Sequence, residues 1–274
     1  MSQPVGPTGS VTVTHIGTAT MLLRFGSFTV LTDPNFLHRG QRAYLGYGLT
    51  SRRLTEPTAQ PADLPPLDLI VLSHLHGDHW DRVAREGLDR DLPIWTTPQA
   101  EKRLRKQGFR YAEKLDRWGS RTLRHGPESL TLTATPGTHA RGPARHLLPP
   151  VMGSVLQYRP DAGADPTVTL YITGDTLLID ALREIPRRFP DMDVAVLHLG
   201  GTRLPGGLLV TMDASQGADL VAQLPATTAV PIHNDDYGVF RSPLSTFVDE
   251  IARRGLTDRV TVLEPGRATE LPGR

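Results

Sequence analysis

Short apolar runs recur along this chain at intervals that suit strands better than long helices, and several end on a polar residue. Residues 11–15 alternate branched side chains with threonine and histidine, and 21–25 and 28–32 follow across Gly26-Ser27, which predicts a β-meander. Pro34 stops the third of these strands and leaves Asp33 at its tip. Residues 67–72, entered through Pro65-Pro66, are short and rich in branched side chains and predict a buried strand. Further strands are expected at 93–96, 154–159, 168–173, 193–198, 228–232 and, closing the chain, 260–263, with 121–124 and 130–134 alternating like a pair. Helical patterns fall between them. Residues 80–86 end at Gly87, and a helix to about 107 has Thr97 as N-cap and Pro98 at N1. A third helix is expected over 177–189. A fourth runs to about 224 and opens on the capping-box pattern Asp213-Ala214-Ser215-Gln216. The last starts at Ser242-Pro243 and has Gly255 as its C′ residue. Residues 35–66 form the longest irregular stretch, a length typical of functional loops, and its arginines offer a partner for an anionic group.

Length and composition narrow the picture a little. The chain has 274 residues, enough for one large domain or two fused halves, and a formal net charge of +1 that leaves no basic footprint for nucleic acid. With no cysteine, a disulfide, a thiolate metal site and a cysteine nucleophile are all excluded. Residues 1–10 are polar and Pro/Gly-rich, and no apolar run approaches the ~20 residues of a membrane helix. The expectation is a soluble, cytoplasmic protein acting on a small molecule, with no nucleic-acid partner and no integral membrane segment.

The chemistry concentrates where the patterning breaks. Directly after the 67–72 strand stands Ser73-His74-Leu75-His76-Gly77-Asp78-His79-Trp80-Asp81, with three histidines and a carboxylate inside six residues. The carboxyl end of a buried strand is where open α/β sheets tend to hold ligands, and imidazole and carboxylate are good donors to zinc and its neighbours. A polar turn that caps the next helix would need one such residue, not four. Other strand ends repeat the placement with His139, Asp175 and His233. Asp175 also precedes a helix, so N-cap and ligand are both open to it. Asp33 is open to turn duty or to orienting a ligating imidazole. A pair of cations about 3.5–4 Å apart clamps a hydroxide and needs six or so N and O ligands. His74, His76 and His139 suit one cation, Asp78, His79 and His233 the other, and Asp175 has two oxygens with which to bridge them. Asp78 or Asp175 can take up a proton during turnover. Trp118, Arg141, His146, His198 and Tyr237 are pocket candidates, each with packing or surface exposure as the competing reading.

The motif His74-x-His76-x-Asp78-His79, followed by His139, Thr173-Gly174-Asp175 and His233, resembles the metallo-β-lactamase-fold hydrolase superfamily. The resemblance runs from His15 to about Leu263. It implies an α/β fold, a four-layer αββα sandwich, built as one domain of two similar halves at about 11–150 and 151–270. It also implies two Zn2+ ions, with Mn2+ or Fe as substitutes. The segments His15-Ile16-Gly17-Thr18-Ala19-Thr20, Leu31-Thr32-Asp33-Pro34 and residues 72–81 look like the subgroup of ascorbate-6-phosphate lactonase and N-acyl phosphatidylethanolamine phospholipase D. Ser120 and Met152-Gly153 depart from that subgroup's acidic and aromatic residues. The oxygen-reducing diiron branch has Glu where His76 stands, so the histidine favours hydrolysis. The expected activity is hydrolysis of a phosphodiester or other phosphate-bearing substrate by a metal-bridging hydroxide. A lactone or ester substrate is the alternative, and an iron-dependent oxidoreductase and a non-catalytic binding protein are rivals of another class.

Overall fold

In a computed structural model, residues 9–142, 148–203 and 207–274 are described. The N-terminal meander is β1 (Ser10–Gly17), β2 (Thr20–Phe25) and β3 (Phe28–Thr32). It is followed by a small hairpin, β4 (Arg42–Gly46) and β5 (Leu49–Arg52), then β6 (Leu69–Leu72), α1 (Arg82–Gly87), β7 (Ile94–Thr96), α2 (Pro98–Lys106) and β8 (Ala112–Lys114). The chain continues through β9 (Ser120–His125), β10 (Glu128–Pro136), β11 (Met152–Arg159) and β12 (Val168–Ile172). It ends with α3 (Glu184–Arg188), β13 (Val194–His198), α4 (Ala214–Gln223), β14 (Thr228–Ile232), α5 (Leu244–Arg253) and β15 (Ala268–Pro272).

These strands form two facing sheets. One has the order β15-β1-β2-β3-β6-β7-β8 and the other β14-β13-β12-β11-β10-β9. Alternation explains the layering. In β6, Leu69 and Val71 point to the core between the sheets, where they meet Leu130, Leu156 and Val196, while Ile70 and Leu72 point outward under α1 and α2 to Ala84 and Leu104. Both faces of β6 are therefore covered, which is why its sequence is apolar without a polar alternate. Across the second sheet, Tyr171, Ala195 and Leu197 pack under α4 and α5 against Val221, Phe247 and Ile251. The layers are helix, sheet, sheet, helix, the αββα sandwich expected from the resemblance. Among the described residues no helix is long and apolar enough to cross a membrane.

Caps with side-chain signals appear as expected. Thr97 accepts from the Ala100 N–H and Gly255 adopts φ +68° after α5. Four expectations need correction. The stretch 35–66 is not wholly irregular, since β4 and β5 lie in it, each with one small buried residue, Ala43 and Ser51, too little to give an apolar periodicity. The helix expected over 177–189 shrinks to a 3-10 turn (Asp180–Arg183) and α3, with Pro186 inside the first helical turn, where its missing N–H costs nothing. Asp213 caps α4, but Gln216 does not reciprocate, because its side-chain oxygen accepts from the Leu178 N–H. The closing strand at 260–263 is reduced to a bridge between Val260 and Ala229, and the chain closes instead with β15 against β1.

Candidate metal centre

The loop after β6 is held from three sides. Asp33, at φ +38° beyond β3, accepts from both the N–H and the hydroxyl of Ser73, at 2.7 and 2.9 Å. Asn35 donates from Nδ2 to the Gly77 carbonyl at 2.9 Å and to Asp81 Oδ2 at 3.1 Å, and Asp81 in turn caps α1 through the Ala84 N–H. The β4–β5 hairpin lies on the loop at Gly77, whose N–H donates to the Tyr44 carbonyl at 2.8 Å. A Cβ at Gly77 would sit 2.7 Å from both N and O of Tyr44, so the close approach demands glycine. On the opposite side the His233 N–H donates to the Thr18 carbonyl at 3.0 Å, fixing the tip of β14 against the β1–β2 turn.

These contacts bring the strand-end residues together in three groups; two hold the seven ligand candidates, and the third, Asp33, His79 and His198, shares His79 with the second. His74, His76 and His139 each offer a ring nitrogen within 4.8 Å of the others, and so do the donor atoms of Asp78, His79, Asp175 and His233. All seven are buried except His76, which is half-buried. His74 Nε2 faces His76 Nδ1 at 2.9 Å, and His79 Nε2 faces His233 Nε2 at 3.1 Å and Asp175 Oδ2 at 3.2 Å. His233 Nε2 is 3.4 Å from Asp78 Oδ2. His139 is anchored by Nδ1 to the Val210 carbonyl at 3.2 Å, which leaves its buried Nε2 without a protein partner, as is Asp78 Oδ1. Asp175 caps no helix. Asp33 Oδ2 stands 3.3 Å from His79 Nδ1, the nitrogen turned away from the group.

Burial is the largest influence on the imidazoles of the first group. It lowers His74 and His139, and it pushes His76 down to about 3 with help from His139 beside it. In the second group burial opposes ionisation of Asp175, but His233 and His79 outweigh it and hold the carboxyl well below its usual value. Asp78 is lowered in the same way, chiefly by His79. His79 moves the other way: burial lowers it, but Asp175, Asp33 and Asp78 together raise it well above the ordinary value. Neutral imidazoles and ionised carboxylates are the states that bind divalent cations, and three buried polar atoms of these residues, His139 Nε2, Asp78 Oδ1 and His233 Nδ1, have no hydrogen-bond partner. The residues fit a pair of such ions.

The remaining candidates are scattered. Trp118 lies away from the groups, packed on the helix side of the second sheet with the Arg188 guanidinium 4.2 Å over its ring. Arg141 is exposed, donates to the Leu178 carbonyl at 2.6 Å, and lines a separate cavity of about 620 Å3. His146 lies outside the described residues. Tyr237 is buried and donates to Asn35 Oδ1 at 3.0 Å, so it braces the loops from behind and is not among the residues that line the cavities over the groups. His198 is fully buried behind Asp175. The small cavity over the groups is walled instead by Leu45, Leu148, Val210 and Thr211, beside His76, Asp78, His139 and Asp175. It neighbours a larger one of about 490 Å3 that His76 and Leu45 also line, with Tyr44, Tyr47 and Arg103. The long loop thus does supply a wall, but through its hairpin. Its arginines do not enter the inner cavity: Arg42 bonds Thr50 on the hairpin, and Arg53 is buried and donates to Asn35. Leu45, Leu148 and Val210 carried no signal in sequence, because single apolar residues between strands look alike wherever they point.

Two facing sheets flanked by helices, with this donor set at one rim, define a protein of the metallo-β-lactamase fold. The chain belongs to the family described as the beta-lactamase superfamily domain, which matches residues 29–234. It is 25% identical over 268 residues to the UPF0173 protein YddR of Bacillus subtilis, covering 93% of this chain and 98% of that one. It is 28% identical over 277 residues to a UPF0173 metal-dependent hydrolase of Anaeromyxobacter sp. strain K, covering 97% and 89%. Among solved structures, the isothiocyanate hydrolase from Delia radicum gut bacteria superposes with a TM-score of 0.80 at 21% identity, covering 96% of this chain and all of that one.

Proposed function

We propose that this protein is a dinuclear metal-dependent hydrolase acting on a compact, uncharged ester or lactone. The observation that carries the reading is the convergence of seven strand-end side chains into two adjoining groups, each with its donor atoms within 4.8 Å. The name of the Anaeromyxobacter relative agrees with it. In this reading His74, His76 and His139 hold one divalent cation, and Asp78, His79 and His233 hold the other, with Asp175 between them. Zinc is the first choice of metal for a set of imidazoles and carboxylates. When bound, such a pair supplies Lewis acidity and lowers the pKa of water towards neutrality. The chain's own part is to orient and to exclude water: Asp33 turns His79, the Val210 carbonyl turns His139, and Leu45, Leu148 and Val210 keep the approach apolar. Asp78 borders the cavity with Oδ1 unpartnered, which supports it as the group that takes up a proton during turnover.

The apolar walls favour a carbonyl substrate, since among the described residues no arginine or lysine borders the inner cavity. A phosphate-bearing substrate, as in the phospholipase D of the subgroup the motifs resemble, keeps one specific support, Arg103 in the outer cavity. Metal analysis of the purified protein, with parallel assays on γ- and δ-lactones, aryl esters and bis-p-nitrophenyl phosphate, tests both. Two equivalents of zinc and chelator-sensitive lactone or ester hydrolysis are expected. Activity on the phosphodiester alone would reverse the choice of substrate, and stoichiometric iron with oxygen consumption would replace hydrolysis by redox chemistry. Full metal content in a His76→Ala variant would refute its place as a ligand.

A further inference from the structure

We propose that His198 is a positioning residue that aims Asp175, committing one of its two carboxylate oxygens so that only the other faces the cations. The proposal rests on the metal-holding reading above. His198 ends β13, the strand between β12 and β14, so it stands between the strand ends that carry Asp175 and His233. Its own N–H donates to Thr173 Oγ1 at 3.0 Å, which ties the end of β13 to the residue two before Asp175. Its ring is fully buried and walled in, 5.3 Å from the His233 ring at 19° and 5.8 Å from the His79 ring at 24°. It borders neither cavity over the groups.

One polar contact remains to that ring. Nδ1 lies 3.1 Å from Asp175 Oδ1, while Nε2 has no partner. A carboxylate can only accept, so Nδ1 carries the proton and donates. Asp175 Oδ2 points the other way, 3.2 Å from His79 Nε2. The sequence alone offers both oxygens of Asp175 for bridging. In the structure Oδ1 is engaged by His198, with His233 Nδ1 next nearest at 3.6 Å, which leaves Oδ2 as the oxygen that would be offered to a cation. The same chain continues on the far side of His79, whose Nδ1 faces Asp33. Asp33 and His198 therefore act alike from behind the group, Asp33 on the far nitrogen of His79 and His198 on the far oxygen of Asp175. A purely space-filling residue at 198 would leave the Asp175 carboxylate free to rotate.

The test is competitive zinc titration against a chromophoric chelator, with Co2+ visible absorption as a second readout, on the wild type and on His198→Leu, His198→Asn and His198→Gln. Asn donates from nearly the place of Nδ1, whereas Gln reaches past it. The Leu and Gln variants are expected to keep two equivalents but to bind the cation of the Asp175 group about 10–100-fold less tightly, with an altered Co2+ spectrum, as is usual when a partner of a ligand is lost. Asn is expected to restore both affinity and spectrum. If Leu does not fold, Asn against Gln carries the same contrast. Wild-type affinity in both Leu and Gln, or equal losses in Asn and Gln, would overturn the proposal. So would a wild type holding three zinc ions and losing one in every variant, because His198 would then be a ligand. A wild type that binds no zinc sinks the metal reading itself, which the variants do not address.

Discussion

The group formed by His74, His76 and His139 is all imidazole and half-exposed at His76, whereas the group of Asp78, His79, Asp175 and His233 is buried throughout, borders the inner cavity only with Asp78 and Asp175, and carries two carboxylates. The difference begins in the topology. Two of the three imidazoles of the first group come from a single loop, so they need little beyond the 73–81 turn to meet. Both groups complete only when the two sheets pack, but the first joins two strand ends, of β6 and β10, and the second three, of β6, β12 and β14. Charge then separates them further. Ionised carboxylates attract a dication over several ångströms in a poorly screened site, and neutral imidazoles offer only lone pairs at contact distance. The acid-rich group should bind its cation more tightly and depend most on a single residue, Asp175.

Replacing Asp175 with Ala gives the largest expected effect. It removes a charge from the tighter group and the link to the other, so zinc content should fall from two equivalents towards one and ester or lactone turnover by roughly 10³-fold, the several kcal/mol a metal supplies. His76→Ala removes one neutral donor, and its loss should be confined to one cation with a smaller fall in turnover. Metal analysis and kinetics on the two variants side by side break the comparison if His76→Ala proves the more damaging.

Gly77→Ala sharpens it from the scaffold side. The new Cβ would meet the Tyr44 backbone on two atoms, neither of which can rotate away. Overpacking of this kind costs about 1–3 kcal/mol, a fall in Tm of roughly 3–10 °C by differential scanning calorimetry. Both groups share the 73–81 loop, so zinc affinity should weaken in each. Weakening in one alone would mean that the hairpin supports only that cation.

Much of this was legible from residue order. The ligand candidates stood at strand ends because polar residues there interrupt runs that are otherwise buried on both faces, and such an interruption is visible without coordinates. Asp33 was visible as a carboxylate at a strand tip, though not its partner. What stayed hidden was set by contacts distant in sequence. His198 looked like a pocket residue because the sequence cannot say which side of Asp175 it occupies. Tyr237 and Arg53 looked functional for the same reason, and both brace Asn35 from beneath. The β4–β5 hairpin and β15 escaped because exposed edge strands do not alternate clearly. Their pairing is decided by a neighbour, the 73–81 loop for one and β1 for the other.

The smallest expected effect lies in the protonation of the first group in the metal-free protein. The folded pKa of His76 is about 3, far below its ordinary value of 6.5, so near neutrality the unfolded chain binds the proton more readily. Stability contributed by neutral His76 is therefore complete above pH 6.5 and is lost progressively as pH falls towards 3. His79, with its pKa raised by three carboxylates, has the opposite sign: its contribution is complete below pH 6.5 and is lost as pH rises through its folded value. Between pH 7 and 6 the His76 contribution should fall by at most about 0.7 kcal/mol, and by less because part of the ring is in water. A chelator-treated His76→Gln variant should thus lose about 1–2 °C less Tm over that interval than the wild type. Identical slopes would mean that the His76 ring is already as hydrated in the folded chain as in the unfolded one, and the contrast between a half-exposed imidazole group and a buried acidic one would then rest on charge alone.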